Sequence, residues 1–464
     1  MRKRIYIGFL GYFLLLAFFS VFVGEASAQP RSKPNDRARR LVTQGDQLYR
    51  DKDYRSAIAR YAEAIVISPN YPHAHYWKGY AHHNLNEYDE AIEEMDMALR
   101  QGFTPLKVYE VRWEAHYMKK NFDAALNDVQ QALRIEPTNN YFILALGDVH
   151  RLKGDYQEAI TAYNKALPVS RNKGDIHYFI AASYFNLGEY SQQNLNANEA
   201  IKNNTKYTAE AYTLMADALL KAKKPTEAIL AYERALNVKP DMPEVYMALS
   251  SLYQSQSRIN EAIATIRKGI ALYPDNGEMF VSLTWYYSLA DRHAEAVNVG
   301  QQAVKLLPSN YMAHTNLCRA YNDTKQYPQA VTACNKALAL QPNDGETNFY
   351  LGRAYDFQNK FDVARPYYKK AVTGLIEYTR ANPDYADGWY LLGNAYYADE
   401  QVDNAIGAYK QSLQLTPNFS KARVNLGIMY VLKNNLPMAR EQYNMLLKID
   451  PQSAEILKGR IDRK

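Results

Sequence analysis

One pattern returns at a fixed spacing along almost the whole chain. Its alanine stands at Ala57, Ala91, Ala125, Ala159, Ala228, Ala262, Ala296, Ala330, Ala364, Ala405 and Ala439, with Gln193 in the same place between Ala159 and Ala228. Successive members differ in number by 34, 34, 34, 34, 35, 34, 34, 34, 34, 41 and 34. So strict a period means that one supersecondary unit is copied twelve times, from about Ala38 to Ala454. Each copy reads as two short helices joined by a turn. Two helices cannot hide their apolar faces alone, so every pair must stack on its neighbours.

The clearest copy holds Trp389, Leu392, Gly393 and Tyr396, then Ala405, Tyr409 and Pro417. That spacing resembles the tetratricopeptide repeat, and the resemblance covers nearly all of the chain beyond residue 28. It implies an all-α fold: an α-solenoid, a right-handed superhelix of about twelve helix-turn-helix units. It also implies that the first helix of each unit lines a concave groove, and that the groove binds peptides or protein segments. Family membership does not name the partner.

The repeat positions have physical reasons. Where the paired helices cross, a side chain must be small: Gly45, Gly79, Gly147, Ala181, Ala216, Ser250, Thr284, Cys318, Gly352, Gly393 and Gly427. Trp113 breaks the rule and is expected to push its helices apart. Large residues such as Tyr61, Tyr163, Tyr232, Tyr368, Tyr409 and Tyr443 fill the gaps. Proline, which lacks the amide hydrogen, closes many second helices, as at Pro69, Pro137, Pro240 and Pro451.

The departures divide the array. Around Ser191–Tyr207 the repeat alanine is lost and Asn and Gln accumulate, while Pro168 ends the preceding helix early. A local softening or bend is expected there. The longest interval, from Ala364 to Ala405, inserts seven residues within Gly374–Pro383, about two helical turns. The second helix of that repeat should project outward, presenting Leu375, Ile376 and Tyr378 as a private contact surface and bending at Pro366. The two cysteines, Cys318 and Cys334, occupy the crossing and large-residue positions of one repeat. A disulfide and a pair of reduced core thiols are both open.

At the N-terminus, Arg2-Lys3-Arg4 precedes an apolar run from Ile5 to Val23 and the small-residue site Ala26-Ser27-Ala28. This is the pattern of a secretory signal cleaved after Ala28, with an uncleaved membrane anchor as the alternative. The chain then reads as residues 1–28 signal peptide, 29–37 disordered basic arm, 38–173 repeats one to four, 174–208 a degenerate fifth repeat, 209–453 repeats six to twelve and 454–464 a capping segment. Losing residues 1–28 takes the net charge from +6 to +4, and residues 29–40 alone carry +4. The repeats themselves balance to zero, so the basic face of a nucleic-acid binder is missing.

The repeats leave no room for a catalytic domain of ordinary size, and no phosphate loop, HExxH, GxSxG or CxxC occurs. The chain is therefore expected not to be an enzyme and to need no cofactor. His82, His116 and His150 lie one period apart, in a position that tyrosine fills in other repeats. Equivalent positions on helices ~10 Å apart cannot converge on one metal, so they are expected to pack rather than to ligate.

The resemblance places the groove at four positions of each first helix. The candidates are His73, Tyr76, Tyr80, His83, Tyr117, Tyr141, Tyr178, Trp285, Arg319, Phe349, Arg353, Tyr390, Asn394 and Tyr397. The Lys/Asn/Arg carboxylate clamp of the chaperone-binding branch is incomplete: Asn394 and Asn425 stand at clamp positions, but Tyr390 replaces the lysine. The sequence thus points to an exported scaffold in a bacterial-type periplasm or cell envelope, with a protein or peptide partner and no membrane span after signal cleavage. Self-association remains open. An adaptor for envelope polysaccharide, or an accessory subunit of a separately encoded enzyme, is the alternative.

Overall fold

The computed structural model describes residues 34–463. The expected signal peptide and residues 29–33 of the arm lie outside them. The described residues form two compact units, divided between Pro168 and Val169. The first contains α1 (Asp36–Arg50), α2 (Tyr54–Ile67), α3 (Pro72–Asn84), α4 (Tyr88–Arg100), α5 (Pro105–Met118), α6 (Phe122–Ile135), α7 (Asn140–Lys153) and α8 (Tyr156–Ala166). The second begins with α9 (Lys173–Leu187), α10 (Tyr190–Lys202), α11 (Thr208–Lys221), α12 (Pro225–Val238), α13 (Pro243–Ser255), α14 (Ile259–Leu272), α15 (Gly277–Leu289) and α16 (His293–Leu306). It continues with α17 (Tyr311–Asp323), α18 (Tyr327–Leu340), α19 (Gly345–Asp356), α20 (Phe361–Ala381), α21 (Ala386–Ala398), α22 (Val402–Leu415), α23 (Ser420–Leu432), α24 (Leu436–Ile449) and α25 (Pro451–Ile461). Twelve helix pairs and one closing helix make an α-solenoid.

Two boundaries differ from expectation. Helix α1 starts at Asp36, inside the expected arm, because the Asn35 side chain accepts the Arg37 N–H at 2.8 Å. The closing helix starts at Pro451, since proline suits a first helical position and Asp450 accepts from the Ser453 N–H.

Many pairs meet at a complementary couple sixteen residues apart, whereas Gly427 of the twelfth lies against Leu457 of α25. Where the first helix offers glycine, the second offers a large side chain: Gly45 with Tyr61, Gly147 with Tyr163, Gly352 with Tyr368, Gly393 with Tyr409. A methyl group at Gly393 would stand 2.5 Å from the Tyr409 ring. Other repeats reverse the sizes. Thr284 lies against Gly300, and Trp113 shares its core with the smaller Val129. Trp113 is buried and faces a smaller partner across the pair. Cys318 and Cys334 form the same couple in repeat nine, joined by a disulfide with Cα atoms 5.3 Å apart.

The turn inside each repeat is equally regular. One residue has φ near +60° at Lys52, Asn86, Lys120, Lys223, Ser257, Asp291, Lys325, Asn359, Glu400 and Asn434, and Gly154 and Gly188 take the same place. The following N–H bonds back to a carbonyl five residues earlier, as Glu87 does to His82 and Arg258 to Tyr253. This is a Schellman closure. The histidine column sits on that carbonyl residue. His82 Nδ1 lies 2.7 Å from Glu87 and His150 Nδ1 3.2 Å from Asp155. In later repeats the same two positions are Tyr253 under Arg258 and Tyr287 under Arg292, each guanidinium 4.5 Å from the ring centroid. Either chemistry pins the same turn.

The degenerate repeat is a complete helix pair, α9 with α10. Gln193 fills the alanine place fully buried, and its amide donates to the Leu214 carbonyl of α11 at 2.7 Å. The nitrogen of the amide thus bonds to the next repeat, while its oxygen is buried without a hydrogen-bond partner. Helix α20 has 21 residues, seven more than α18 or α22, and runs through Pro366 without a break. Its extra turns do not project freely, contrary to expectation. Gly374 lies against the backbone of Asn343 and Gly345, where an added Cβ would meet the Asn343 carbonyl at 2.4 Å. Leu375 is buried and Ile376 partly buried against the core, leaving only Tyr378 substantially exposed.

Candidate functional site

Successive first helices approach one another: α1 with α3 and α3 with α5 in the first unit, and α9 with α11, α13 with α15, α15 with α17 and α17 with α19 in the second. The second helices of neighbouring repeats do not come as near. First helices therefore lie on the inside of the curve in each unit.

In the first unit the inner face is a run of rings. Tyr80 lies 5.6 Å from Tyr49 and 5.9 Å from Trp77, between centroids, and His83 continues the row at 6.3 Å from Tyr80. The Trp77 indole N–H donates to His73 Nε2 at 3.1 Å. Burial lowers the pKa of both His73 and His83, which favours neutral imidazoles. Burial, with Tyr80 nearby, pushes Tyr49 up to about 12. Glu114 joins the two ends of the row. It accepts from the Tyr141 hydroxyl at 2.6 Å and lies 3.5 Å from His83 Nε2. Tyr117 is half-buried beside Trp113, and Tyr141 is 39% exposed. Tyr76 touches Trp77 and Tyr80 but is buried beneath the face. It is 6% exposed and stacks on Phe103 at 4.4 Å, because its position turns toward the next repeat.

In the second unit, Tyr178 stacks on Tyr207 at 4.5 Å. Arg319 is the centre of a denser group. Its guanidinium lies 4.0 Å from the Trp285 ring and 4.8 Å from Tyr350, and pairs with Glu346 at 2.7 Å. Burial opposes its charge, but Glu346 and Tyr350 hold its pKa up. Burial raises the carboxyls of Glu346 and Asp387 against the opposing pull of Arg319. Arg353 pairs with Asp323 at 3.1 Å. Four repeats apart in sequence, Lys421 at the start of α23 and Asp291 in the repeat-eight turn meet at 2.9 Å, so this inner face curls back on itself.

Toward the C-terminus Tyr390 lies 5.0 Å from Phe419, and Tyr397 is 46% exposed. Phe349 is a core residue against Tyr350 and Tyr368, not a groove residue. Asn394 accepts from the Tyr409 hydroxyl at 2.7 Å and from Asn425 at 2.8 Å. The two clamp-position asparagines thus hold each other. Asp46, Asp148 and Asp217 accept from Tyr61, Tyr163 and Tyr232 in the manner of Asn394. The sequence reading did not single out Tyr49, which stands at the same repeat position as His83, Tyr117 and Tyr397, or Trp77, whose ring joins the first face. It also missed a column of acids at the starts of the first helices of the second unit. Reading that one repeat position down the chain would have found them.

Family models for the TPR repeat match residues 45–86 and 147–188, and two for the tetratricopeptide repeat match 219–283 and both 286–345 and 349–418. Together they span more than half of the chain. Over 77 residues the chain is 32% identical to the small glutamine-rich tetratricopeptide repeat-containing protein 2 of Saccharomyces cerevisiae, a match that covers 17% of this chain and 21% of that protein. Among solved structures it is similar to the Cut9 and Hcn1 hetero-tetramer of the APC/C, at 15% identity, TM-score 0.44, with 92% of this chain and 96% of that chain covered. Yeast Tom70 gives 15%, TM-score 0.39, and coverage of 91% and 93%. A tetratricopeptide repeat protein from Parabacteroides merdae gives 13%, TM-score 0.44, and coverage of 55% and 98%.

Proposed function

Because the chain belongs to the tetratricopeptide-repeat proteins, we propose that it is a non-catalytic scaffold, exported to a bacterial-type periplasm or cell envelope, whose inner faces hold segments of other proteins. Protein–protein interaction is the role that the repeats indicate. The observation that carries the reading is the set of exposed rings at inner positions, Tyr141 and Tyr397 among them. Such rings offer large contact area at low entropy cost. Export is supported by the basic start, apolar run and Ala-Ser-Ala site of residues 2–28. It is also supported by a disulfide between the only two cysteines, a bond that persists in oxidising compartments. No helix among the described residues is long and apolar enough to cross a membrane.

The test places a photo-crosslinking amino acid at Tyr141 or Tyr397, and at the outer-face Val66 and Leu230 as controls. Adducts with the same protein from the inner positions alone are expected. Equal capture from the outer positions would refute the groove. Terminal sequencing should find Gln29 first, and a chain beginning at Met1 in the membrane fraction would refute cleavage.

A further inference from the structure

In each repeat the second residue of the first helix, or its near equivalent, opens the inner row. In the second unit that position is Asp175, Glu210, Glu244, Glu278, Met312, Glu346, Asp387 and Lys421: six carboxylates among eight residues. A carboxylate at a helix N-terminus is favoured by the helix dipole, and that preference alone would explain one or two. It does not explain the contrast with the first unit. There the same position of equivalent helices is Arg39, His73, Lys107 and Tyr141, with no acid at all. The other inner positions of the second unit add Asp217 and Asp356, while Arg319, Arg353 and Lys421 oppose. Eight carboxylates thus stand against three cations at these positions; Lys206 and Lys239 reach in to pair with Asp175 and Glu210, and Arg319 pairs with Glu346, so five of the eight, Glu244 and Glu278 among them, face this inner side of one unit outside those three ion pairs. Glu244 and Glu278 in this column are exposed.

We propose that the inner face of residues 169–463 docks an extended, basic segment of a partner protein, and that the acid column sets its register. This rests on the scaffold reading above and adds the chemistry of the partner. Neighbouring helices pack ~10 Å apart, and an extended chain advances ~3.3 Å per residue. A lysine or arginine at every third position would therefore meet successive carboxylates. The exposed ring of Tyr385, beside Asp387 and Glu346, suits the aliphatic stem of such a side chain and its cationic head. Charge attraction of this kind raises the association rate and weakens with salt.

The experiment is fluorescence anisotropy of the full chain with three labelled peptides: Lys-Gly-Ser repeated five times, the same composition with the five lysines contiguous, and Glu-Gly-Ser repeated five times. The spaced basic peptide should bind at least tenfold more tightly than the other two. Its affinity should fall at least tenfold in the Glu244→Lys/Glu278→Lys chain, whose thermal midpoint should fall only slightly, because both side chains are exposed and lose little beyond a favourable charge at a helix start. Each variant made singly keeps the test valid if the double one fails to fold. Equal binding of spaced and contiguous lysines overturns the register. Preference for the glutamate peptide, or unchanged affinity in both single variants, overturns the basic partner while leaving a peptide-binding scaffold. A chain that binds none of these peptides, and gives no adducts from Tyr141 or Tyr397, loses the scaffold reading as well. A peptide of residues 29–40, which carries +4, is the fourth probe. Tighter binding of this peptide than of the synthetic one would make the occupant the chain's own arm and overturn a separate partner.

Discussion

Replacing Gly393 by alanine tests how the repeat is held together. The new Cβ would stand 2.5, 2.6 and 2.9 Å from three atoms of the Tyr409 ring. That ring is fully buried, and its hydroxyl is tied to Asn394 at 2.7 Å. Ordinary contact needs about 3.5 Å or more, so ring or helix must move by roughly 1 Å. Overpacking of this kind costs about 1–3 kcal/mol, and alanine returns about 0.8–1 kcal/mol of helix propensity. Repeat six already seats Ala216 opposite Tyr232, so the arrangement is attainable once two helices part. The cost is that of parting them within a stack, and the difference of the two effects is a net loss of about 0–2 kcal/mol. Gly407→Ala in α22 is the matched control. It is exposed, and nothing lies within 4 Å of the methyl that alanine adds there, so it should gain about 0.8–1 kcal/mol. Repeat arrays need not unfold in one step, so the readout is hydrogen exchange of amides in α21 and α22, with the thermal midpoint beside it. The two variants should move in opposite directions. Equal stabilisation by both would refute the glycine–tyrosine couple as the spacer of the repeat.

Three further outcomes follow from the same geometry. Lys325→Gly should gain up to about 1 kcal/mol, since relief of a left-handed backbone, ~1–2 kcal/mol, exceeds the added unfolded-chain entropy; Gly154→Ala should lose a similar amount although its methyl would meet open space, and a flat midpoint in both denies the turn conformation. Burial raises the Asp217 carboxyl above its ordinary range, so the folded state binds that proton more tightly; the associated stability is full below the unfolded-state value and is lost as pH rises through the raised one. Asp217→Asn keeps an acceptor for Tyr232, as Asn394 does for Tyr409, so its midpoint should decline less than the parent's between pH 4 and 7, and an unchanged slope would reject the assignment. Reduction of Cys318–Cys334, which are sixteen residues apart, should destabilise repeat nine by up to ~3 kcal/mol; proteolysis and mass spectrometry of unreduced exported protein should yield the linked peptides, and two freely alkylated thiols would contradict the bond.

The helix pairs were legible because packing imposes a period, and a period survives in one sequence without comparison. The two irregular intervals of the alanine column, Gln193 to Ala228 and Ala364 to Ala405, reappear in the positive-φ residues, from Gly188 to Lys223 and from Asn359 to Glu400. The turn conformation itself was not legible. Its usual signal is glycine, and only Gly154 and Gly188 carry it; ten turns hold a side chain in the left-handed region. The groove was legible by position but not by side chain. Tyr76 and Phe349 stand at inner positions yet turn into the stack, whereas Trp77 stands at a packing position and joins the ring cluster.

Size complementarity explains why single positions misled. Trp113 breaks the small-residue rule when read alone, and obeys it once Val129 is read with it. Gln193 breaks the alanine rule, and its amide finds the Leu214 carbonyl in the next repeat. The seven inserted residues of α20 are a length in the sequence; only the backbone contact of Gly374 with Gly345 decides that they are embedded rather than free. The sequence by itself determined the unit, its count and its helical faces, because these follow from local periodicity and covalent spacing. Tertiary structure alone decided which faces became core and which carboxylates share a surface. It also decided that Lys421 meets Asp291 across 130 residues, because curvature accumulates from small rotations at every interface and no single repeat encodes it.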